Sequence, residues 1–289
     1  MSIIDSINTL VTQQRSLLSK FSSSEWVTNL ETTISEIKTK VNTAISVNDV
    51  LNKTIYVSTS AGIDTNSGTS RTSPLKTIKA AIDLIPINGS ADIILLVDDN
   101  ATKSGQTFNI DSDITIKNQT IVIKNEVGMA NKNTIQFMHD SAYSSFKVIL
   151  KSNTNLSFED VIIKTSTLTP SELASLGVSK SESNSSFKLE DDVFGAVRFK
   201  ACQIFINDYN LFSSTTYSDI SISLINSNLK QNKDLSYYAY IQGGFFKFSV
   251  VGTTNSIKNY SDADVNLSTL IKDIHPNNSF ITYIPSTIL

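Results

Sequence analysis

The chain has 289 residues, 18% of them charged, and a formal net charge of −3. Average soluble domains carry roughly 25% charged residues; here Ser, Thr and Asn take their place, which suits long regular β-structure. The 24 Lys and Arg are dispersed without a basic run, which excludes nucleic-acid binding as a main function.

The N-terminus, Met1-Ser-Ile-Ile-Asp5, lacks the basic region and continuous apolar core of a secretory signal. No stretch reaches the ~18 consecutive apolar residues of a membrane span. The expectation is a soluble chain without membrane insertion, leaving a cell, if it does so, by another route than general secretion.

Apolar residues at Ile3, Ile7, Leu10, Leu17 and Phe21, with Gln14 in the remaining slot, keep the alternating four-and-three spacing of a coiled coil. After Ser22-Ser-Ser24 a second run follows at Val27, Leu30, Ile34, Ile37, Val41 and Ala44 or Ile45, out of phase with the first. Ser24 is a candidate N-cap for the second helix, with Glu25 in its first turn. Helices this short need a partner in water. Either each pairs with its own copies in a stalk, or the two fold back on each other or on the rest of the chain. Residues 1–52 are therefore expected to be a helical oligomerisation or attachment segment, with Gln14 as a polar register position in the seam.

From Thr54 to Pro86 the sequence predicts a short strand (Ile55, Val57), a turn region rich in Gly, Asn, Asp and Ser, and a helix after Pro74. That helix carries Ile78, Ile82 and Ile85 on one face and stops at Pro86. Gly62 and Gly68 read as turn glycines. A new strand follows at Ile93–Val97. The order Tyr56-Val57, Gly62, Asp64, Asn66, Gly68, Pro74-Leu-Lys-Thr-Ile78, Ala81 resembles the start of pectate-lyase-like right-handed parallel β-helices, of the bacteriophage tailspike and tail-fibre type. The Gly-x-Tyr that often follows the next strand in that family is replaced here by Asp98-Asp-Asn100. The resemblance implies a mainly β chain: a right-handed, single-stranded parallel β-helix with a capping helix, preceded by the coiled-coil-like segment. It also implies a homotrimer.

Aligning an apolar residue with another five positions later gives Ile116–Ile121, Phe137–Ala142, Phe158–Ile163, Phe199–Ile204, Leu224–Leu229 and Phe246–Val251, mostly 21 to 25 residues apart. That period suits one coil of a solenoid. The best-matched pair is Thr115–Asn125 with Arg198–Asp208. Residues 53–265 are the expected β-helix, with an insertion at about 165–190. Residues 266–289 are expected to cap the last coil or touch a neighbouring subunit. The single cysteine, Cys202, excludes an intrachain disulfide and reads as a small buried hydrophobe. His139 and His275 lie far apart, with no metal-ligand spacing, so no metal or cofactor is implied.

On a 21-residue period Asn118, His139 and Asp160 stack on one face. That makes Asp160 a candidate general acid or base, with His139 modulating it and Glu159 beside them. Tyr237, Tyr238 and Tyr240 are candidate glycan-binding aromatics, or equally subunit-interface residues. The leading expectation is a virion appendage, tailspike or tail fibre, that binds host-surface carbohydrate and joins other tail or baseplate proteins through residues 1–52. A polysaccharide depolymerase on the same fold and a purely structural virion connector are the alternatives.

Overall fold

A computed structural model describes residues 3–22, 24–98, 103–129, 131–172, 185–214, 219–232, 239–241, 245–251, 256–259, 261–264, 271–273 and 281–283. For residues 21, 22, 24–26, 41–51, 191, 192, 239–241, 245–251, 271–273 and 281–283, only the backbone is described. Two compact units result, Met1–Val50 and Leu51–Leu289.

The first unit is helical. Helix α1 spans Ile3–Ser22 and α2 spans Ser24–Leu51. The hydroxyls of Thr9, Thr12, Thr32, Thr33 and Thr39 each donate to the carbonyl four residues back, so these β-branched residues satisfy themselves within the helix. Every described side chain of the two helices is exposed. Among the described residues the apolar stripes of both helices, Ile3 to Leu18 and Val27 to Ile37, are exposed.

The second unit is mainly β. In chain order it contains β1 (Asn52–Val57), α3 (Ile78–Asp83), β2 (Ser90–Leu95), β3 (Thr107–Ile110), β4 (Ile114–Lys117), β5 (Thr120–Asn125), β6 (Thr134–Phe137), β7 (Val148–Glu159) and β8 (Ile162–Lys164). It continues with β9 (Ser185–Lys200), β10 (Gln203–Ile206), β11 (Asn210–Ser214), β12 (Asp219–Ile225), β13 (Asn228–Gln231), β14 (Ala239–Ile241), β15 (Phe245–Val251), β16 (Ser256–Lys258), β17 (Ile271–Asp273) and β18 (Ile281–Tyr283).

Every pairing between these strands is parallel, and the pairings form three ladders. The first runs β1, β2, β5, the second half of β7, the second half of β9, β12, β15, β18. The second runs β4, the first half of β7, the first half of β9, β11, β14, β17. The third runs β3, β6, β8, β10, β13, β16. From β3 onward the chain visits the third, second and first ladders in that order, again and again.

Alternation puts every second residue inward, and parallel register stacks equivalent side chains ~4.8 Å apart. Ile55, Ile93, Ile123, Phe158, Phe199 and Leu224 form one such buried column, and Phe108, Ile135, Ile163, Ile204 and Leu229 another. Each fully buried member contributes about 1.5–3 kcal/mol relative to exposure. Asn133, fully buried, donates to Leu95 O and Asn125 Oδ1 and accepts from Gln106 N at 2.6–2.8 Å.

The lead-in segment matches its expectation. Thr77 caps α3 by accepting from Ala80 N, and Ile78, Ile82 and Ile85 are buried. Asp64 accepts from Lys76 N, Thr77 N and the Thr77 hydroxyl at 2.8–3.0 Å, which fixes the turn into the helix. Gly68 lies at φ +68 and its carbonyl takes Tyr56 N, closing the free edge of β1.

The 21-residue period is corrected. In the third ladder Ile135, Ile163, Ile204 and Leu229 are equivalent, 28, 41 and 25 residues apart. The units at Phe158, Phe199 and Leu224 were aligned correctly. Ile116, however, lies in the second ladder, Phe137 in the third, and Leu224 pairs with Val250 instead of Phe246. Thr115–Lys117 and Arg198–Lys200 accordingly belong to different ladders. Corners between strands vary in length, so a fixed period drifts off register even where alternation is right. Two boundaries also move. Residues 185–190 of the expected insertion are strand β9, and β17 and β18 carry two ladders past residue 265.

Candidate functional site

The structure does not assemble Asp160, Glu159 and His139. Asp160 sits at a corner between the first and third ladders at φ +57, equivalent to Ala201 (+55) and Asn226 (+48). Asn118, at φ +51, matches Ser152 in another corner. Asp160 pairs with Lys132 Nζ at 2.9 Å, and that ammonium also donates to Ala201 O at 2.6 Å. Glu159 faces Lys200 at 3.7 Å. His139 follows β6, at the opposite end of the third ladder. The stacking predicted for these residues was a product of the wrong period.

Two further acids, Glu190 and Asp262, are likewise paired with lysines. Glu190 meets Lys188 and, at 3.3 Å, Lys151, and the Lys188 contact holds its carboxyl below the usual range against the cost of burial. Asp262 pairs with Lys230 at 2.9 Å, which lowers its carboxyl likewise. Tyr237 and Tyr238 lie outside the described residues. Tyr240 is placed by backbone only, in β14 between Ser213 and Lys272. Cys202 is buried as expected. Its thiol donates to Phe158 O and Lys200 O, each at 3.4 Å, and burial pushes it up to about 11.

What His139 does join is a polar and aromatic cluster where the chain leaves the third ladder. Asp140 Oδ1 accepts from Ala142 N and Ser144 N, making a tight loop that returns Ser145 beside His139 and puts Tyr143 at φ +60. In the next circuit Thr169-Pro-Ser-Glu172 forms a capping box: Glu172 Oε2 accepts from Thr169 N at 2.6 Å and the Thr169 hydroxyl at 2.7 Å. His139 lies between these segments, Nδ1 2.8 Å from Ser166 Oγ and Nε2 3.1 Å from Glu172 Oε1. Tyr209 stacks on the imidazole with centroids 6.3 Å apart and donates to Tyr143 O at 2.6 Å. Asp208, buried, accepts from Leu168 N at 2.9 Å.

The electrostatics follow from these contacts. Bonds from the Thr169 amide and hydroxyl, then from His139, bring Glu172 down to about 2 from 4.5. Burial first, then the nearby charges of Asp208, Asp140 and Glu172, raise the Tyr209 hydroxyl. Serine, histidine and glutamate in line match the residue types of a nucleophile, base and orienter. The geometry argues against that chemistry: Ser166 is 1% exposed, and both Glu172 oxygens are committed. The cluster instead pins the start of the segment that follows β8 to two neighbouring circuits.

Lowered Glu172 stabilises the fold above its unfolded value, and that contribution is lost as pH falls through the folded value. Glu172→Gln is therefore expected to be less stable than the natural chain at pH 7 and to converge on it between pH 4.5 and about 2, followed by thermal unfolding across that window. Parallel curves at constant offset down to pH 2 would refute the assignment.

Sequence reasoning found His139 and missed Ser166, Glu172, Tyr143 and Tyr209. The Thr169-x-x-Glu172 capping box was the one readable signal. Among the described residues no group of three or more His, Cys, Asp or Glu is placed to hold a metal ion, and no helix is long and apolar enough to cross a membrane. Compared with known protein families, with curated proteins and with solved structures, the chain matches none.

Proposed function

We propose that this chain is a virion appendage of the tailspike or tail-fibre type, in which a right-handed parallel β-helix binds host-surface carbohydrate and residues 1–52 join the copies into a homotrimer. The observation that carries the reading is the exposure of Ile3, Ile7, Leu10, Leu17, Leu30, Ile34 and Ile37, between 46% and 79%, on helices that precede three stacked parallel ladders. Seven large apolar side chains in heptad spacing are not left in water without a partner. The repeated visit to three ladders in one cyclic order supports the β-helix, which presents long flat faces suited to an extended polymer. The Lys partners of Asp160 and Glu159 weigh against the depolymerase reading at the positions first considered.

The test is sedimentation velocity with light scattering on the full chain and on one starting at Lys53, each then applied to a glycan array. The expected result is a trimer that binds a defined glycan set, and a monomer that binds the same set at least about tenfold more weakly through lost avidity. A monomeric full chain, or a trimer that binds no glycan, refutes the corresponding half. Release of reducing sugar from a bound glycan would put the depolymerase in front.

A further inference from the structure

We propose that the outer face of the first ladder around Phe194 and Arg198 is a subsite for an acidic oligosaccharide, in which a sugar ring stacks on Phe194 and a sugar carboxylate is held by Arg198. The subsite rests on the carbohydrate-binding reading above and adds to it the residues, the charge of the glycan and the direction in which it lies.

Strand β9 turns Val193, Val197 and Phe199 inward, fully buried, and presents Phe194, Arg198 and Lys200 outward. Among the described phenylalanines only Phe194 is exposed, at 57%. A ring left in water gives up the stabilisation that burial would return. The backbone beneath it is fixed, because Gly195 lies at φ +140 against Thr154 O of the neighbouring strand. Phe194 stands in register between Asn153 and Asp219, both exposed. The negative face of an aromatic ring attracts the C–H groups on the flat side of a sugar. The Asn153 amide and the Asp219 carboxylate flank that face and suit the hydroxyls around its edge.

Arg198 lies four residues further on, about 13 Å along the same strand, the span of a short oligosaccharide. Between them Ala196 carries only a methyl group. Ser157 and Ser223 are in register on either side of Arg198, and their short side chains leave the guanidinium open. Among the described residues none forms a hydrogen bond or ion pair with it: Glu159, on the adjoining strand, faces Lys200 at 3.7 Å instead. An exposed, unpaired guanidinium fork matches a carboxylate through two parallel N–H···O bonds. Asp219 repels an anionic group at the other end, so the acidic sugar goes to Arg198 and a neutral ring to Phe194.

The test applies the full chain to an array of uronic- and sialic-acid oligosaccharides, each beside its carboxyl-reduced neutral form, with sedimentation velocity run on every variant. The natural chain is expected to bind acidic members at least about tenfold more tightly than their reduced forms. Arg198→Gln is expected to abolish that difference without weakening the reduced forms. Phe194→Ala is expected to weaken both forms at least about tenfold, whereas Phe194→Trp, which keeps a stacking face, retains binding. All three variants are expected to keep the oligomeric state of the natural chain. Binding confined to neutral glycans overturns the acidic subsite and leaves the carbohydrate reading standing, whereas no bound glycan at all overturns both. Undiminished binding of the acidic members by Arg198→Gln or Phe194→Ala overturns the site, as does dissociation of Phe194→Ala, which would make the ring a subunit contact.

Discussion

Replacing Phe187 by alanine is expected to lower stability by about 3–5 kcal/mol, among the largest effects a single side chain produces in this fold. Its ring is fully buried in β9 and touches four others: Phe137 and Phe212 at 5.2 Å between centroids, Phe158 at 5.6 Å and Phe199 at 6.1 Å. These rings come from all three ladders, so Phe187 is where the ladders hold one another across the interior. Its column neighbours, Val148 and Phe212, are fixed by strand register and cannot slide into the space, which keeps the cavity open and the cost high. Phe194, six residues before the end of the same strand and 57% exposed, is the control, with an expected change within about 0.5 kcal/mol on truncation. Urea denaturation followed by far-UV circular dichroism measures both. Equal losses for the two variants would mean that the inter-ladder aromatic packing is not what holds the fold.

Gly195→Ala is expected to be comparably damaging, about 3 kcal/mol or more, for a backbone reason. Gly195 lies at φ +140, where L side chains are strained, and a Cβ built there would stand 2.0 Å from Thr154 O of the adjacent strand. The position is structurally forced. Here β9 passes from the second ladder to the first, alongside the same passage in β7, where the register shifts between Lys151 and Asn153. Thr154, fully buried, ties that corner by donating to Lys151 O at 2.8 Å. Adding a methyl group forces the two corners apart and breaks the ladder bonds beside them. Ala196→Gly, one residue on, removes a methyl without a clash and is expected to cost about 1 kcal/mol. If the two variants unfold at the same urea concentration, the close approach at this corner is not a constraint.

The local sequence carried much of this architecture. Alternation at Ile121–Ile123, Phe158–Ile163 and Phe199–Ile204 identified strands, because a strand half-buried by geometry demands period two. Pro74, the Ile78–Ile82–Ile85 face and Pro86 placed α3, since start, stop and apolar stripe are all local signals. The heptads of α1 and α2 were legible for the same reason. Cys202 was read as buried from its neighbours alone.

Register between circuits was decided only in three dimensions. Strands found their partners at intervals of 25 to 41 residues because the corners between them differ in length, and nothing in one circuit announces the length of the next. The candidate acids fell with the period: Asp160 went to a corner beside Lys132, and His139 to a cluster with Ser166, Glu172 and Tyr209. A sequence determines which face of each element seeks the interior, because that depends on neighbours one to four residues away. Which distant residues then meet depends on how the corners place one circuit upon another, and that is settled by packing Phe158 on Phe199 and Phe187 on Phe212.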